Sequence, residues 1–411
     1  MATSKREEAT VMSELFADRA AIGTESRLAQ LFGGQLGPDG IKFSAGNPNP
    51  DLFPTAQMQN AFNTAIDTAG NHLFEYQEVA GPVHLRQQLA NRVHQTAGIN
   101  ATADNVLVTQ GGQQAIDLVA KLLLDTGDEV AVETPTYVGA LASFDQYGPT
   151  YLDVPMEDDG MDVDALTSLL KTHPNIKLVY TVPDFHNPTG VTMSVAKRKR
   201  LVELAEEYHF YILEDTPYRD LRYHGHSLPA IKSFDRHGRV IFISSFSKIL
   251  MPGLRTGWVV ADEMVINKLR QLKETSDLES PAIMLHAVSA FLDNNDLNQH
   301  VANMLTTYRN RLDAMLNALT EFMPDTVKFT RPDGGFFVWL TLPENVDTQA
   351  LLQDVVMPQA HISYVPGQVF FAHQNVHNGL RLNFSGVDEQ QITAGIQRLA
   401  TALTENTVKV Q

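Results

Sequence analysis

The chain has 411 residues, 43% of them apolar, with no cysteine and a formal net charge of −17. That length and apolar content supply a sizeable core and enough chain for two or three domains, while the lack of cysteine excludes disulfides, thiol catalysis and thiolate metal sites. The acidic balance disfavours a nucleic-acid partner, because phosphate backbones select basic surfaces, and no window approaches the ~18 uninterrupted apolar residues of a membrane span.

The N-terminal "MATSKREEATVMSELFADRA" carries charges where a secretory signal would place its apolar segment, so the expected address is cytoplasmic. An amphipathic stretch around Glu14 to Phe32 is expected to pack onto one of the domains or onto a partner chain. From about residue 70 to residue 295, short β-branched runs alternate with helical patterns. "NVLVTQ" (105–110) reads as a strand and "QQAIDLVAKLLL" (113–124) as a helix, with apolar residues at helical spacing. Further strands are predicted at 129–134, 150–155, 176–183, 210–215, 239–245 and 257–262, with a helix at 194–209. Apolar strands alternating with helices predict an α/β fold, a mostly parallel sheet flanked by helices on both faces. After it, a long helical pattern at 297–322, three short strand-like stretches and a closing helix from about 387 to 405 predict a smaller α+β domain. The expected division is an N-terminal segment at 1–45, a large domain at 46–295 and a small C-terminal domain at 296–411. No internal repeat is present.

In an open α/β sheet, ligands collect at the carboxyl ends of the strands, and four unusual stretches fall there. "TQGGQQ" runs from strand to helix through Gly111 and Gly112; the Gly112 and Gln113 amides at the helix start suit an anion. "PDFHNPTG" places Asn187 in a turn, and "LEDTPYRDL" closes a strand with Asp215. "SSFSKILMPGLRTGW" groups Ser245, Ser247, Lys248 and Arg255. Taken singly, each has a plain structural reading: a strand-to-helix connection, turn chemistry, a helix cap or ion pair, a solvated loop lysine. Their conjunction at successive strand ends is the inventory needed to hold pyridoxal 5′-phosphate (PLP). Lys248 would form a Schiff base, Asp215 would pair with the pyridinium nitrogen, and Asn187 with Tyr218 would bond the phenolic oxygen. Ser245, Ser247, Arg255 and the Gly112 and Gln113 amides would bind the phosphate.

With "FSAGNPNPDLFP", "YQEVAGPVHLR", "ETPTYVG", "RPDGGFFVWL", "YVPGQVFF" and "LRLNFS" added, the sequence resembles the fold type I PLP-dependent aminotransferases of class I/II, closest to the 2-aminoadipate and kynurenine group. The resemblance covers the chain from about Leu15 to the last helix. It implies that Tyr137 stacks on the cofactor ring, that Arg381 grips the substrate α-carboxylate, and that the Gly46 backbone approaches the substrate. Tyr76 would reach the phosphate of a neighbouring subunit's cofactor, implying a homodimer with shared active sites. The expected reaction is ping-pong transfer from an aromatic, branched or 2-aminoadipate-like amino acid to a 2-oxo acid, 2-oxoglutarate foremost, with no metal. Alternatives are another PLP reaction on the same scaffold, such as a C–S lyase or a decarboxylase, and a PLP-binding regulatory domain. The last would carry a DNA-binding domain ahead of the fold, for which no room is expected before Phe43. The chain departs from the family's pattern in two places. Gly112 replaces a serine common before the helix glutamine, and His186 stands where glutamine is common, as a packed or solvent-facing residue without a catalytic role. Arg19 and Arg27 lie in a segment that closes over the substrate side chain in this group, and are read as helix arginines or as contacts to an acidic side chain.

Overall fold

The structure, a computed structural model, describes Ala17 and residues 36–407. Arg19, Arg27 and all but Ala17 of the amphipathic stretch around Glu14 to Phe32 lie outside the described residues. A two-residue strand β1 (Ile41–Lys42) precedes the helices Thr55–Ala69 and Val83–Ala97. Then β2 (Val106–Thr109), β3 (Glu129–Thr134), β4 (Thr150–Glu157), β5 (Gly160–Met161), β6 (Leu178–Thr181), β7 (Tyr211–Asp215), β8 (Val240–Ser245) and β9 (Gly257–Val260) form one sheet in the order β2-β9-β8-β7-β6-β3-β4-β5.

All seven strands expected between residues 105 and 262 are present. The run β8, β7, β6, β3, β4 is parallel, β9 is antiparallel to both its neighbours, and β5 folds back on β4. β2, β6 and β9 are buried along their whole length, which is why they read as continuous apolar runs rather than alternating ones. Successive residues nevertheless enter different layers: Leu213 and Ile241 pack with Ile116 and Val119 on one face, while Ile212 and Val240 pack with Leu166 and Leu201 on the other. This period-2 division is what places helices on both sides of the sheet.

Beyond the helices Ala282–Asn294 and Leu297–Phe322 come β10 (Lys328–Phe329), β11 (Phe337–Thr341), β12 (Ile362–Ser363), β13 (Val365–Pro366) and β14 (Gly379–Asn383), then the helix Glu389–Thr407. β10, β11, β14 and β13 form an antiparallel four-stranded sheet. β1 pairs in parallel with β12, so residues near 41 are tied to the C-terminal part of the chain. A single apolar cluster, including Phe43, Leu89, Trp258, Tyr308, Phe336 and Ile396, joins residues of both larger sheets. Arg381 on β14 and Phe337 on β11 thereby come to face the carboxyl ends of β6, β7 and β8.

Candidate active site

A cavity of about 540 Å³ opens at those strand ends, and its lining includes Gly46, Gly112, Gln113, Tyr137, Asn187, Asp215, Tyr218, Ser245, Ser247, Lys248, Arg255 and Arg381. Of the predicted site residues only Tyr76 is absent from it; that side chain stands on the surface at 85% exposure.

Each group is set by its element. Asp215 ends β7 and is buried, with Tyr180 of the neighbouring β6 donating its hydroxyl to Oδ2 at 2.8 Å. Burial raises the carboxyl to about 7, opposed by the Tyr180 hydrogen bond and the Lys248 charge. A carboxylate so placed is kept ionised by a cation, and the N–H of a pyridinium is such a partner. Lys248 follows β8; its Nζ donates to the Gly46 carbonyl at 2.7 Å and lies 5.9 Å from the Tyr218 ring centre. Burial, then the charges of Arg381 and Arg255, lower its amine to about 8, against the pull of Asp215. A minor but appreciable fraction of the amine is therefore neutral, hence nucleophilic, close to physiological pH.

Arg381 is buried between two rings, its guanidinium 4.2 Å from the Phe337 centroid and 5.1 Å from that of Phe370. Nη1 donates to Asn187 Oδ1 and Nη2 to the Ser44 carbonyl, both at 2.9 Å, while Nε is buried with no hydrogen-bond partner among the described residues. Burial lowers the group to about 10, leaving it a cation, and among the described residues no carboxylate pairs with it. A buried guanidinium held by neutral acceptors is a receptor for an incoming carboxylate.

At the other end of the cavity the helix Gly111–Leu123 begins with no side-chain cap, so its first-turn amides, those of Gly112 and Gln113 among them, are open to an anion. Gly111 has φ +78°, and a Cβ there would lie 2.5 Å from Arg255 Nη2; the glycine makes room for the arginine. Arg255 bonds the Gln110 and Pro252 carbonyls and is otherwise exposed. Ser245 Oγ accepts the Ser247 amide at 2.9 Å. The result is a set of hydroxyls, amides and one fork-shaped cation suited to a phosphate. Tyr137 lines the space between the two ends, its phenol raised to about 12 chiefly by burial. Burial raises Tyr218 also, and its hydroxyl lies 3.5 Å from Asn187 Nδ2.

Asn187 is held by its own loop. Asp184, buried at the start of that loop, receives Arg198 at 2.7 Å and Arg219 at 2.8 Å. His186, expected to be either packed or solvent-facing, is packed at 0% exposure. Several lining or supporting residues escaped the sequence reading. Tyr180 looks like core, Ser44 and Phe337 act through long-range contacts, and Lys42 sits at the end of a strand too short to show a period. "IKF" beside "SAGNP" was the available signal for Lys42.

Residues 38–399 match the family described as aminotransferase class I and II. The chain is 39% identical over 410 residues, 98% of each, to aromatic-amino-acid aminotransferase 1 of Thermococcus litoralis. It is 34% identical over 394 residues, 95% of this chain and 97% of the relative, to the 2-aminoadipate transaminase of Thermus thermophilus. Among solved structures it matches the kynurenine aminotransferase of Pyrococcus horikoshii, in complex with PMP, with a TM-score of 0.90 and 39% identity, covering 96% of this chain and 98% of that one.

The lowered Lys248 amine has a measurable consequence. Reaction of the cofactor-free protein with PLP, trapped by borohydride, should accelerate as pH rises through about 8 rather than through the ordinary lysine value of 10.5, with the mass increment on Lys248. Trapping spread over surface lysines, or a midpoint near 10, would show a solvated amine.

Proposed function

Because the chain belongs to the class I and II aminotransferases and is a PLP-dependent transaminase, we propose that it moves the amino group of an aromatic, branched or 2-aminoadipate-like L-amino acid to 2-oxoglutarate, in ping-pong fashion through Lys248. The observation that carries this reading is the convergence of Lys248, Asp215, Asn187 and Arg381 on one cavity whose basic and acidic groups are not spent on one another. The residues fit the cofactor: among the described residues no cation forms an ion pair with Asp215, which feels only the charge of Lys248, and the phosphate end offers uncapped amides.

In this reading Gly112, Gln113, Ser245, Ser247 and Arg255 hold the phosphate, with Tyr76 of a second subunit. Tyr137 packs on the ring, Asn187 and Tyr218 bond its oxygen, and Asp215 keeps its nitrogen protonated. Bound there, PLP supplies the electron sink that makes the substrate Cα acidic. Lys248 Nζ is the point of covalent attachment. Once displaced by the substrate's amine, it would serve as the base that takes the Cα proton and as the acid that returns it on the far side of the transferred nitrogen. Arg381 holds the α-carboxylate through two parallel hydrogen bonds, which fixes the Cα–H bond relative to Lys248, and Gly46 offers its backbone beside it.

The names of the relatives support aromatic and 2-aminoadipate donors. Lys42 supports an acceptor with a second carboxylate: it lines the cavity, it is exposed, and among the described residues nothing pairs with its Nζ. Phe74, Tyr76 and Leu278, at 70%, 85% and 55% exposure, support a homodimer that covers them. A cytoplasmic address agrees with the finding that no helix among the described residues is long and apolar enough to cross a membrane. The separation of the two larger sheets supports a large domain at 46–295 and a small domain at 296–411, with a segment at 1–45 ahead of them as part of the same reading.

An assay of leucine, phenylalanine, tyrosine and 2-aminoadipate with 2-oxoglutarate should yield glutamate and the matching 2-oxo acid, and Lys248→Ala should abolish turnover. Ammonia or CO2 release without an acceptor would replace transfer by lyase or decarboxylase chemistry. Lys42→Gln should raise KM for 2-oxoglutarate by roughly fivefold, the loss of one partly exposed charge contact, and leave that for pyruvate unchanged; equal effects would remove Lys42 from acceptor recognition. If active sites are shared, mixing inactive Lys248→Ala with a weakened Tyr76→Ala should restore about a quarter of wild-type activity through hybrid dimers with one intact site; no restoration would place Tyr76 outside the site.

A further inference from the structure

We propose that His186 is a positioning residue: seated between Glu133 and Thr189, it holds the loop at 184–190 so that Asn187 keeps its carbonyl on Arg381 and its amide toward Tyr218. The proposal rests on the reading of Arg381 as the α-carboxylate clamp.

Glu133, near the end of β3, is 1% exposed, and among the described residues no lysine or arginine pairs with it. Its Oε1 accepts the Thr181 hydroxyl at 2.7 Å and its Oε2 the Val182 amide at 3.0 Å. A further polar neighbour is His186, whose Nε2 lies 3.1 Å from Oε2, at an angle too oblique for a well-formed hydrogen bond, and has no hydrogen-bond partner among the described residues. On the ring's other side, Nδ1 lies 2.8 Å from the Thr189 hydroxyl and accepts the Thr189 amide at 3.4 Å. An accepting Nδ1 puts the proton of a neutral imidazole on Nε2, facing the carboxylate. The His186 backbone closes the loop on itself, donating to the Val191 carbonyl and accepting from the Gly190 amide.

Asn187 therefore stands between two fixed points, the Asp184 carboxylate gripped by Arg198 and Arg219, and the His186 ring wedged against Glu133. Its Oδ1 in turn orients Arg381 Nη1 at 2.9 Å. Because Glu133 is buried and among the described residues no lysine or arginine pairs with it, removing the imidazole takes away the polar group 3.1 Å from its Oε2 and the wedge that seats the loop, and the loop has reason to move. A shift of about an ångström at Asn187 is transmitted to the guanidinium, and misplacement on that scale is costly for substrate geometry.

The test compares holoenzyme variants by KM and kcat for the amino-acid donor, the visible spectrum of bound cofactor, and Tm. His186→Gln keeps a donor toward Glu133 and an acceptor toward Thr189, so KM should stay within about twofold of wild type. His186→Leu, similar in bulk but without polar atoms, should raise KM roughly tenfold or more with kcat changed less, cofactor remaining bound. Glu133→Gln, a smaller perturbation, should fall between them and serves if the leucine variant does not fold. Unchanged KM in both His186→Leu and Glu133→Gln would overturn the proposal, as would parallel losses of kcat, KM and Tm that the glutamine variant does not rescue. Arg381→Ala separates the two readings. If it fails to raise KM for the donor, the clamp assignment itself falls; if it raises KM while His186→Leu does not, only the role of His186 falls.

Discussion

Three ionisable groups, Asp215, Lys248 and Arg381, share one desolvated cavity without forming a close ion pair, and the surrounding structure is arranged to keep them apart. Burying a charge without its partner costs several kcal/mol, which shows here as a carboxyl driven up to about 7 and an amine driven down to about 8. Were the three allowed to collapse together, that cost would be relieved and the groups silenced. What prevents collapse is that each has a neutral companion instead: Tyr180 for Asp215, the Gly46 carbonyl for Lys248, and Asn187 with the Ser44 carbonyl for Arg381. Anionic and cationic ligands are then the partners that complete the set.

Those neutral companions and the charges they serve come from distant parts of the chain. Ser44 lies just beyond β1, which is paired with β12, and the Ser44 hydroxyl meets that of Ser363 at 3.0 Å. Arg381 lies on β14, and Asn187 on the loop after β6. The proposed clamp for a carboxylate is thus assembled where the four-stranded sheet, the short β1–β12 pair and the eight-stranded sheet meet. The loop bearing Asn187 is anchored at its start, where two buried arginines hold Asp184.

Much of this was legible in the sequence, for a physical reason. In a parallel sheet, the carboxyl end of a strand is marked by the last apolar residue before a polar one, so Asp215, Asn187 and the Ser245 to Lys248 stretch announce themselves locally. The family likeness then supplied Arg381, Tyr137 and Gly46, which spacing alone did not distinguish from core. Tyr180 was not legible, because a tyrosine inside an apolar run looks like packing until β6 is known to lie beside β7. Phe337 and Phe370, which enclose the Arg381 guanidinium, belong to a different sheet from the strands that mark the site. Gly111 was read as part of a connection, whereas it opens the helix and makes room for Arg255. His186 could be narrowed to packed or exposed and no further, since its neighbour Glu133 is 53 residues upstream and registers only through the pairing of β3 with β6.

The charge of the whole molecule and that of the site point in opposite directions. The chain carries −17, yet among the described residues the cavity lining contains Lys42, Lys248, Arg255 and Arg381 against one carboxylate, Asp215. At physiological ionic strength the field of scattered surface carboxylates decays over about 8 Å, whereas cations inside a cleft with low-dielectric walls act on a ligand at short range with little screening. An anionic ligand therefore meets modest repulsion at a distance and strong attraction on entry. Such an arrangement favours discrimination at the site over long-range capture. It suits the proposed reading, in which a phosphate and a carboxylate are held at fixed places while one substrate follows another, because Arg255 is anchored beside the start of the helix Gly111–Leu123 and Arg381 beside the Asn187 loop, so that separate cations would serve the two ligands.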